Sequence, residues 1–273
     1  NSLLTVRPLI RKAKKVESDW TIVMTDPSIL SMWASLLMRQ QSWILWSTDL
    51  YPATLFASGL LSQNSWLGKN LLKRNYSFSP SAIIASGPGQ AQYLRSFYMS
   101  MPSDMPVFEL PCGLFLDEDA EQGDFPEWVD SEKLTFGYLG EIREAHDLEF
   151  VKEVIMNLDP ERHRFILSVH GRKAPSLVAF ARDYPVTKCV STVSRSDLKF
   201  IDVHLATLES HWTHFSEPWI VMSAVCAGST FMLKADAACD TWHFLNGTGV
   251  LVQNDPRQLM DLEKEIRETD FMS

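Results

Sequence analysis

Leu134-Thr135-Phe136-Gly137-Tyr138-Leu139-Gly140-Glu141-Ile142-Arg143-Glu144-Ala145-His146-Asp147-Leu148-Glu149 is the stretch that decides the fold. Its first six residues form a short apolar run that reads as a strand. Gly140 closes that run and lets the backbone turn tightly towards a helix. The free N–H groups at a helix start make a ready anion site. Arg143 adds a planar cation suited to a diphosphate. The plainer reading has equal standing: an ordinary strand-to-helix turn with Arg143 in solvent.

Downstream, further strands are expected at Phe165–Val169, Thr187–Val190, Val203–Leu208, Thr230–Leu233 and Val250–Val252. Together with Leu134–Leu139 they make a six-strand doubly wound α/β pattern. Upstream there are four strands, Thr21–Met24, Trp43–Trp46, Ala82–Ala85 and Val107–Leu110, separated by helix-like stretches at Ser31–Arg39, Ala53–Leu61 and Gly89–Phe97. Between the halves, Asp117–Glu132 is strongly acidic and reads as a linker. The chain therefore divides into an N-terminal Rossmann-like domain at 1–117, a linker at 118–132 and a C-terminal Rossmann-like domain at 133–273. Two such domains facing across a cleft would place ligands at the carboxyl ends of their strands. Leu3–Lys15 reads as a helix apolar on one side and basic on the other. Such a helix has either a solvated basic face or a membrane-surface role.

The whole chain has 273 residues, with 25 Lys and Arg against 34 Asp and Glu, a formal net charge of −9. That balance argues against a nucleic-acid partner, which needs a basic face. No apolar run reaches the roughly 18 residues of a spanning helix. Arg7, Arg11, Lys12, Lys14 and Lys15 break up any secretory pattern at the start. Cys112, Cys189, Cys226 and Cys239 are scattered without a CxxC pair and read as buried free thiols of a reducing compartment. A cytoplasmic protein is expected. Its first residue, Asn1, suggests a missing natural beginning, and the sequons at Asn75 and Asn246 are read as chance.

Two more stretches carry candidate chemistry. Val169-His170-Gly171-Arg172 ends a strand, with Gly171 permitting close approach and Arg172 or Lys173 facing a phosphate or base. Glu209-Ser210-His211-Trp212-Thr213-His214-Phe215-Ser216-Glu217-Pro218-Trp219 follows the fourth strand of this half. Its two histidines lack an evident third ligand, so zinc is not expected. No G-x-G-x-x-G follows a strand, which weighs against a dinucleotide oxidoreductase.

These residues resemble the GT-B glycosyltransferases, most of all family 4, the retaining enzymes that take a sugar from a nucleotide-sugar donor. Trp46-Ser47-Thr48-Asp49-Leu50-Tyr51-Pro52 resembles the D-L-W-P segment of bacterial amino-sugar and fucosamine transferases. Gly140-Glu141-Ile142 with His146-Asp147-Leu148-Glu149 resembles their G-N-I-x-x-x-Q-G-L-E loop. Ser194–Leu198 resembles the short segment before the next strand. Ser216-Glu217-Pro218 with Ala224-Val225-Cys226-Ala227-Gly228 resembles S-x-P-x-K-x-x-E-Y-M-A-x-G, and the order holds over nearly the whole chain.

There are departures. On the register fixed by Gly228, the family's lysine position holds Ile220, and the glutamate position that binds the donor's ribose holds Ser223. Glu209 and Glu217 have the spacing of the paired-glutamate motif but fall out of register with Gly228. The glycine-rich loop expected near the start of the first domain is missing, with about two strands.

The resemblance implies a retaining, hexosyltransferase-type enzyme acting on a glycan, lipid-linked or protein acceptor. Gly140, Glu141, Arg143, Gly171, Arg172, Glu209, Glu217 and Ser223 would bind the donor. The helix N-terminus after Gly140, with Arg143 or Arg172, would stabilise the departing diphosphate. Glu217 would reach the donor from a neighbouring position as a further catalytic group, and Asp49, or Asp26 near it, would meet the acceptor hydroxyl. Asp49 reads equally as a helix N-cap. No cofactor or metal is implied. The alternative is a GT-B-like chain without turnover that serves as a binding or scaffold subunit of a glycosylation complex.

Overall fold

The computed structural model describes residues 2–27, 29–98, 102–111 and 125–252, with side chains from Val6 onward. The chain folds as two compact units. The first takes in the described residues up to Pro111 together with His211–Glu217 and Ala238–Phe244. The second takes in 125–210, Pro218–Ala237 and the described residues from Leu245.

The first unit runs α1 (Ser2–Ala13), β1 (Thr21–Met24), α2 (Leu30–Leu37), β2 (Trp43–Trp46), α3 (Ala53–Ala57), α4 (Trp66–Asn75), β3 (Ala82–Ala85), α5 (Pro88–Phe97) and β4 (Val107–Glu109). Its strands are parallel and lie in chain order, β1-β2-β3-β4. Right-handed crossovers between successive neighbours carry every connecting helix to the same side of such a sheet. The core follows that rule. Val23, Trp43, Leu45, Ile83 and Ala85 point into one cluster with residues of α1, α2, α4 and α5. The opposite face carries a cross-strand row of Met24, Trp46, Ile84 and Phe108. Of these, Phe108 is 57% exposed, as is Ile22 at 55% beside them.

The second unit runs β5 (Leu134–Glu141), α6 (Leu148–Asn157), β6 (His163–His170), α7 (Ala174–Ala181), β7 (Thr187–Cys189), β8 (Val203–Thr207), α8 (Trp219–Cys226), β9 (Thr230–Lys234) and β10 (Val250–Val252). Between β9 and β10 the chain forms α9 (Asp240–Leu245), most of which belongs to the first unit. The six parallel strands are ordered β10-β9-β8-β5-β6-β7. Order reverses between β5 and β8, which is the switch point where such sheets open a ligand crevice at their carboxyl ends. The core joins Phe136, Tyr138, Phe165, Leu167, Val203 and Leu205 to α6 and α7.

All ten expected strands are present, within two residues at each end. Three local expectations change. α3 stops at Ala57 instead of reaching Leu61, because Gly59 turns with φ +71. α4 is an element that the periodicity does not announce. The segment around Ser194 is a 3-10 turn, Arg195–Phe200, capped by the Ser194 hydroxyl. Of the acidic stretch, only its last part lies within the described residues, and there Trp128 is buried against Ile166 and Ile201. Cys189, Cys226 and Cys239 are free thiols, but only Cys239 is fully buried. Cys112 lies outside the described residues.

Candidate functional site

At the switch point of the second unit, the loops after β5, β8 and β9 converge on one ammonium group. Lys234 ends β9, and its Nζ lies 2.7 Å from Asp147 Oδ2 and 4.0 Å from Glu209 Oε2. Asp147 is the N-cap of α6, and its Oδ1 accepts the Phe150 N–H at 3.0 Å. Its own N–H donates to Thr207 Oγ1, which also lies 3.1 Å from the Tyr138 hydroxyl. Burial works to raise the Asp147 pKa, but the Lys234 ammonium and the cap N–H groups outweigh it, so the carboxyl sits below its ordinary value. Glu209 is held by its N–H, which donates to Ala145 O at 2.8 Å. Tyr138, Asp147, Thr207 and Lys234 carry this geometry and were not singled out as site residues in the sequence. Only Asp147 had a local signal, as a cap residue before an apolar helix.

Gly140 has φ +108, and the space a Cβ would fill is open. Gly171 has φ +100, and a Cβ there would sit 2.6 Å from Ile142 O, so the two strand ends approach as closely as glycine permits. Beside them the two arginines are already engaged. Arg143 pairs with Glu141 at 2.6 Å, and Arg172 pairs with Glu144. Both guanidinium groups stay open to solvent, with side chains 62% and 79% exposed.

A second cluster lies in the first unit, at the carboxyl ends of its strands. Thr25 Oγ1 accepts the N–H groups of Thr48 and Asp49, at 3.0 and 3.1 Å. The N-cap of α3 is Pro52, so Asp49 does not cap that helix. Ser86-Gly87-Pro88-Gly89-Gln90 leads from β3 into α5, and the fully buried Asp240 caps it: its two oxygens accept the Gly89 N–H at 2.7 Å and the Gln90 N–H at 2.8 Å. His214 Nδ1 lies 3.8 Å from Asp240 Oδ2. Burial alone would raise the Asp240 pKa; the bonds from His214, Gln90 and Gly89 reverse that and lower it. Glu217 Oε2 accepts the Thr241 N–H at 3.1 Å and the Thr241 hydroxyl. Glu217 Oε1 is buried without a hydrogen-bond partner among the described residues. Burial pushes this carboxyl up to about 7.

No protein-family model matches the sequence, and no curated protein matches it. Solved structures do match. Sucrose-phosphate synthase from Thermosynechococcus elongatus superposes with a TM-score of 0.67 at 13% identity, over 97% of this chain and 68% of that one. Anabaena HepE in complex with UDP and glucose superposes with a TM-score of 0.64 at 12% identity, over 97% and 72%. The lipopolysaccharide outer core galactosyltransferase WaaB gives 0.55 at 10% identity, over 93% and 67%. The fold is GT-B.

Within the GT-B fold, the expected donor residues divide between the units. Gly140, Glu141, Arg143, Gly171, Arg172 and Glu209 all lie at the carboxyl ends of the second sheet. Glu217 does not join them: it belongs to the first unit, while Glu209 belongs to the second. Ser223 is buried in α8, where its hydroxyl donates to Trp219 O, one turn back on its own helix. The helix N-terminus after Gly140, expected to face a phosphate, is capped by Asp147. Around this end of the GT-B second sheet, four carboxylates (Glu141, Glu144, Asp147, Glu209) stand beside four cations (Arg143, Arg172, Lys173, Lys234). Of the two histidines His211 and His214, His214 faces Asp240. Among the described residues, no group of three or more His, Cys, Asp or Glu is placed to hold a metal ion.

Proposed function

We propose that this chain transfers a sugar from a nucleotide-diphosphate donor to a glycan, lipid-linked or protein acceptor, with retention at the anomeric carbon. The observation that carries this reading is the switch point between β5 and β8. There Gly140 leaves open space at a strand end and two exposed guanidinium groups stand beside it. The GT-B fold supports it, as do similar structures described in complex with UDP, UDP-glucose and glucose.

In the proposed step the acceptor hydroxyl oxygen bonds to the anomeric carbon on the same face from which the diphosphate departs, as retention requires. The bond from that carbon to the diphosphate oxygen breaks, and the diphosphate leaves with the electron pair. Arg143 and Arg172 take up its charge by exchanging Glu141 and Glu144 for phosphate oxygens. Exposed ion pairs hold together by only about 0–1 kcal/mol, so this exchange costs little. Stabilising charge as it develops is the largest single contribution such groups make. Asp49 is the residue of the first unit assigned to receive the acceptor's proton. A site on the cytoplasmic side of a membrane suits free thiols and a cytoplasmic nucleotide sugar.

A second reading is favoured by specific residues. Ile220 stands at a position where family 4 has a lysine, and Ser223 spends its hydroxyl on its own helix. These would suit a GT-B chain that has lost turnover and acts as a binding or scaffold subunit. Titration calorimetry with UDP, GDP and their sugar derivatives separates the two. Micromolar binding that weakens in Arg143→Ala and Arg172→Ala supports the transferase. A folded chain that binds none of them up to millimolar concentration leaves only the scaffold.

A further inference from the structure

Among the described side chains of α1, Val6 and Ile10 are buried in the core of the first unit, while Arg7, Leu9 and Arg11 face solvent. More apolar surface lies on α4. α2 packs against both α1 and α4, so the outward sides of α1 and α4 cover one layer. α4 buries Gly68 and Asn75 inward. Outward it shows Trp66, 79% exposed, and Leu67, 51% exposed, one or two turns from Lys69, Lys73 and Arg74. Leu60, in the link before α4, is 75% exposed.

Charge in this layer is one-sided. Residues 1–16 and 50–103 contain nine Lys and Arg and no Asp or Glu, in a chain whose net charge is −9. None of the nine forms an ion pair among the described residues. Cations that only stabilised the fold would have carboxylates within reach. Unpaired cations flanking an exposed Trp and Leu on one helix face are instead the composition of a helix lying in a bilayer interface, with the aromatic ring at headgroup level and the basic groups on anionic headgroups.

We propose that the first unit docks on an anionic lipid bilayer through α4. Trp66 and Leu67 enter the interface, Lys69, Lys73 and Arg74 contact the headgroups, and the basic side of α1 adds longer-range attraction. This goes beyond sugar transfer and does not depend on it, because the surface is complete without a donor.

The test is co-sedimentation of the full chain, without nucleotide, with phosphatidylcholine vesicles and with vesicles containing about one-third phosphatidylglycerol. Binding is expected only to the anionic vesicles. Each Lys or Arg at the surface should strengthen it roughly fivefold, so Lys69→Glu with Lys73→Glu should abolish it. Trp66→Ser with Leu67→Ser should weaken binding on the order of tenfold or more while leaving the melting temperature unchanged, since both side chains are exposed. Failure of the intact chain to sediment with anionic vesicles at low salt overturns the proposal. So does undiminished binding by the Trp66→Ser, Leu67→Ser chain, which would mark a purely ionic surface of the kind that meets an acidic protein. Neither result bears on donor binding, which calorimetry reads separately.

Discussion

Asp240 Oδ1 accepts the Gly89 N–H at 2.7 Å, across 151 positions of sequence. The second oxygen takes the Gln90 N–H, so one buried carboxylate satisfies two free donors at the start of α5 and opposes the helix dipole. Asp240→Ala leaves both N–H groups buried without an acceptor. It should cost about 2–4 kcal/mol, read as a fall in the denaturant midpoint. The Asp240 pKa is lowered on folding, so its contribution is complete above the ordinary value of 3.8 and fades as pH falls through the folded-state value. A midpoint unchanged by the substitution at pH 7 would remove Asp240 from the fold's support.

Gly89 makes that cap sterically possible. A Cβ at Gly89 would lie 2.2 Å from His214 Nδ1, and one at Gly87 would lie 2.6 Å from Asp240 Cβ. Gly89→Ala is expected to destabilise the chain by roughly 1–3 kcal/mol through overpacking. Adding Asp240→Ala to it should cost less than the sum of the two single losses, as a double-mutant cycle in denaturant would show.

Glu217 behaves in the opposite sense to Asp240. Its pKa rises from the ordinary 4.5 to about 7 on folding, because burial outweighs the Thr241 bonds, and the neighbouring Asp240 charge adds to the rise. The folded state therefore binds the proton more tightly than the unfolded chain does. Stability is unaffected by this group below about pH 4, declines as pH rises towards 7, and levels off above that. Glu217→Gln keeps an acceptor for Thr241 without the charge. It should stabilise the protein by roughly 2–3 kcal/mol at pH 8 and by little at pH 4. Denaturant unfolding at the two pH values checks this, and equal effects at both would refute the assignment.

If Arg143 and Arg172 receive a diphosphate, their present carboxylate partners compete with it. Glu141→Gln and Glu144→Gln should each tighten UDP binding by up to about fivefold, the equivalent of an exposed ion pair. Calorimetry showing weaker binding in these variants would mean that the carboxylates themselves hold the donor.

Lys234 is the most buried cation among the described ion pairs of the second unit. Lys234→Met strips the partner from Asp147, which is largely buried, and removes the nearest cation from Glu209. A loss of about 2–4 kcal/mol in thermal or denaturant unfolding is expected. Replacing Asp147 by Asn in the same chain should restore part of it, since an amide still caps α6.

Much of the architecture can be read from local sequence. Each strand is a short β-branched or aromatic run closed by a turn residue, and burial on both faces makes the second sheet's runs continuous. α4 escapes such reading because Gly68 and Asn70 dilute its pattern and two of its four large apolar residues, Trp66 and Leu67, face solvent while Leu71 and Leu72 pack inward. Its one local sign is Ser65, whose hydroxyl caps the Gly68 N–H. The switch-point loop is legible through Gly140 and Gly171, where positive φ is required. The pairing of Arg143 with Glu141 and of Arg172 with Glu144 is not, since nothing in residue order says which surface charge an arginine will choose. Asp240 and Glu217 are harder still. Their partners in the first unit become neighbours only when two late segments of chain return to an early sheet.

That return sets an order in time. Strands β1 to β4 leave the ribosome first and pair with their immediate sequence neighbours, so the first sheet can assemble while the rest of the chain is still being made. The start of α5 waits for its cap until Asp240 has been synthesised, some 150 residues later. At about 5–20 residues per second this is a delay of roughly eight to thirty seconds. The unit that begins folding first therefore stays open until nearly all of the second has been made, with β10 still to come.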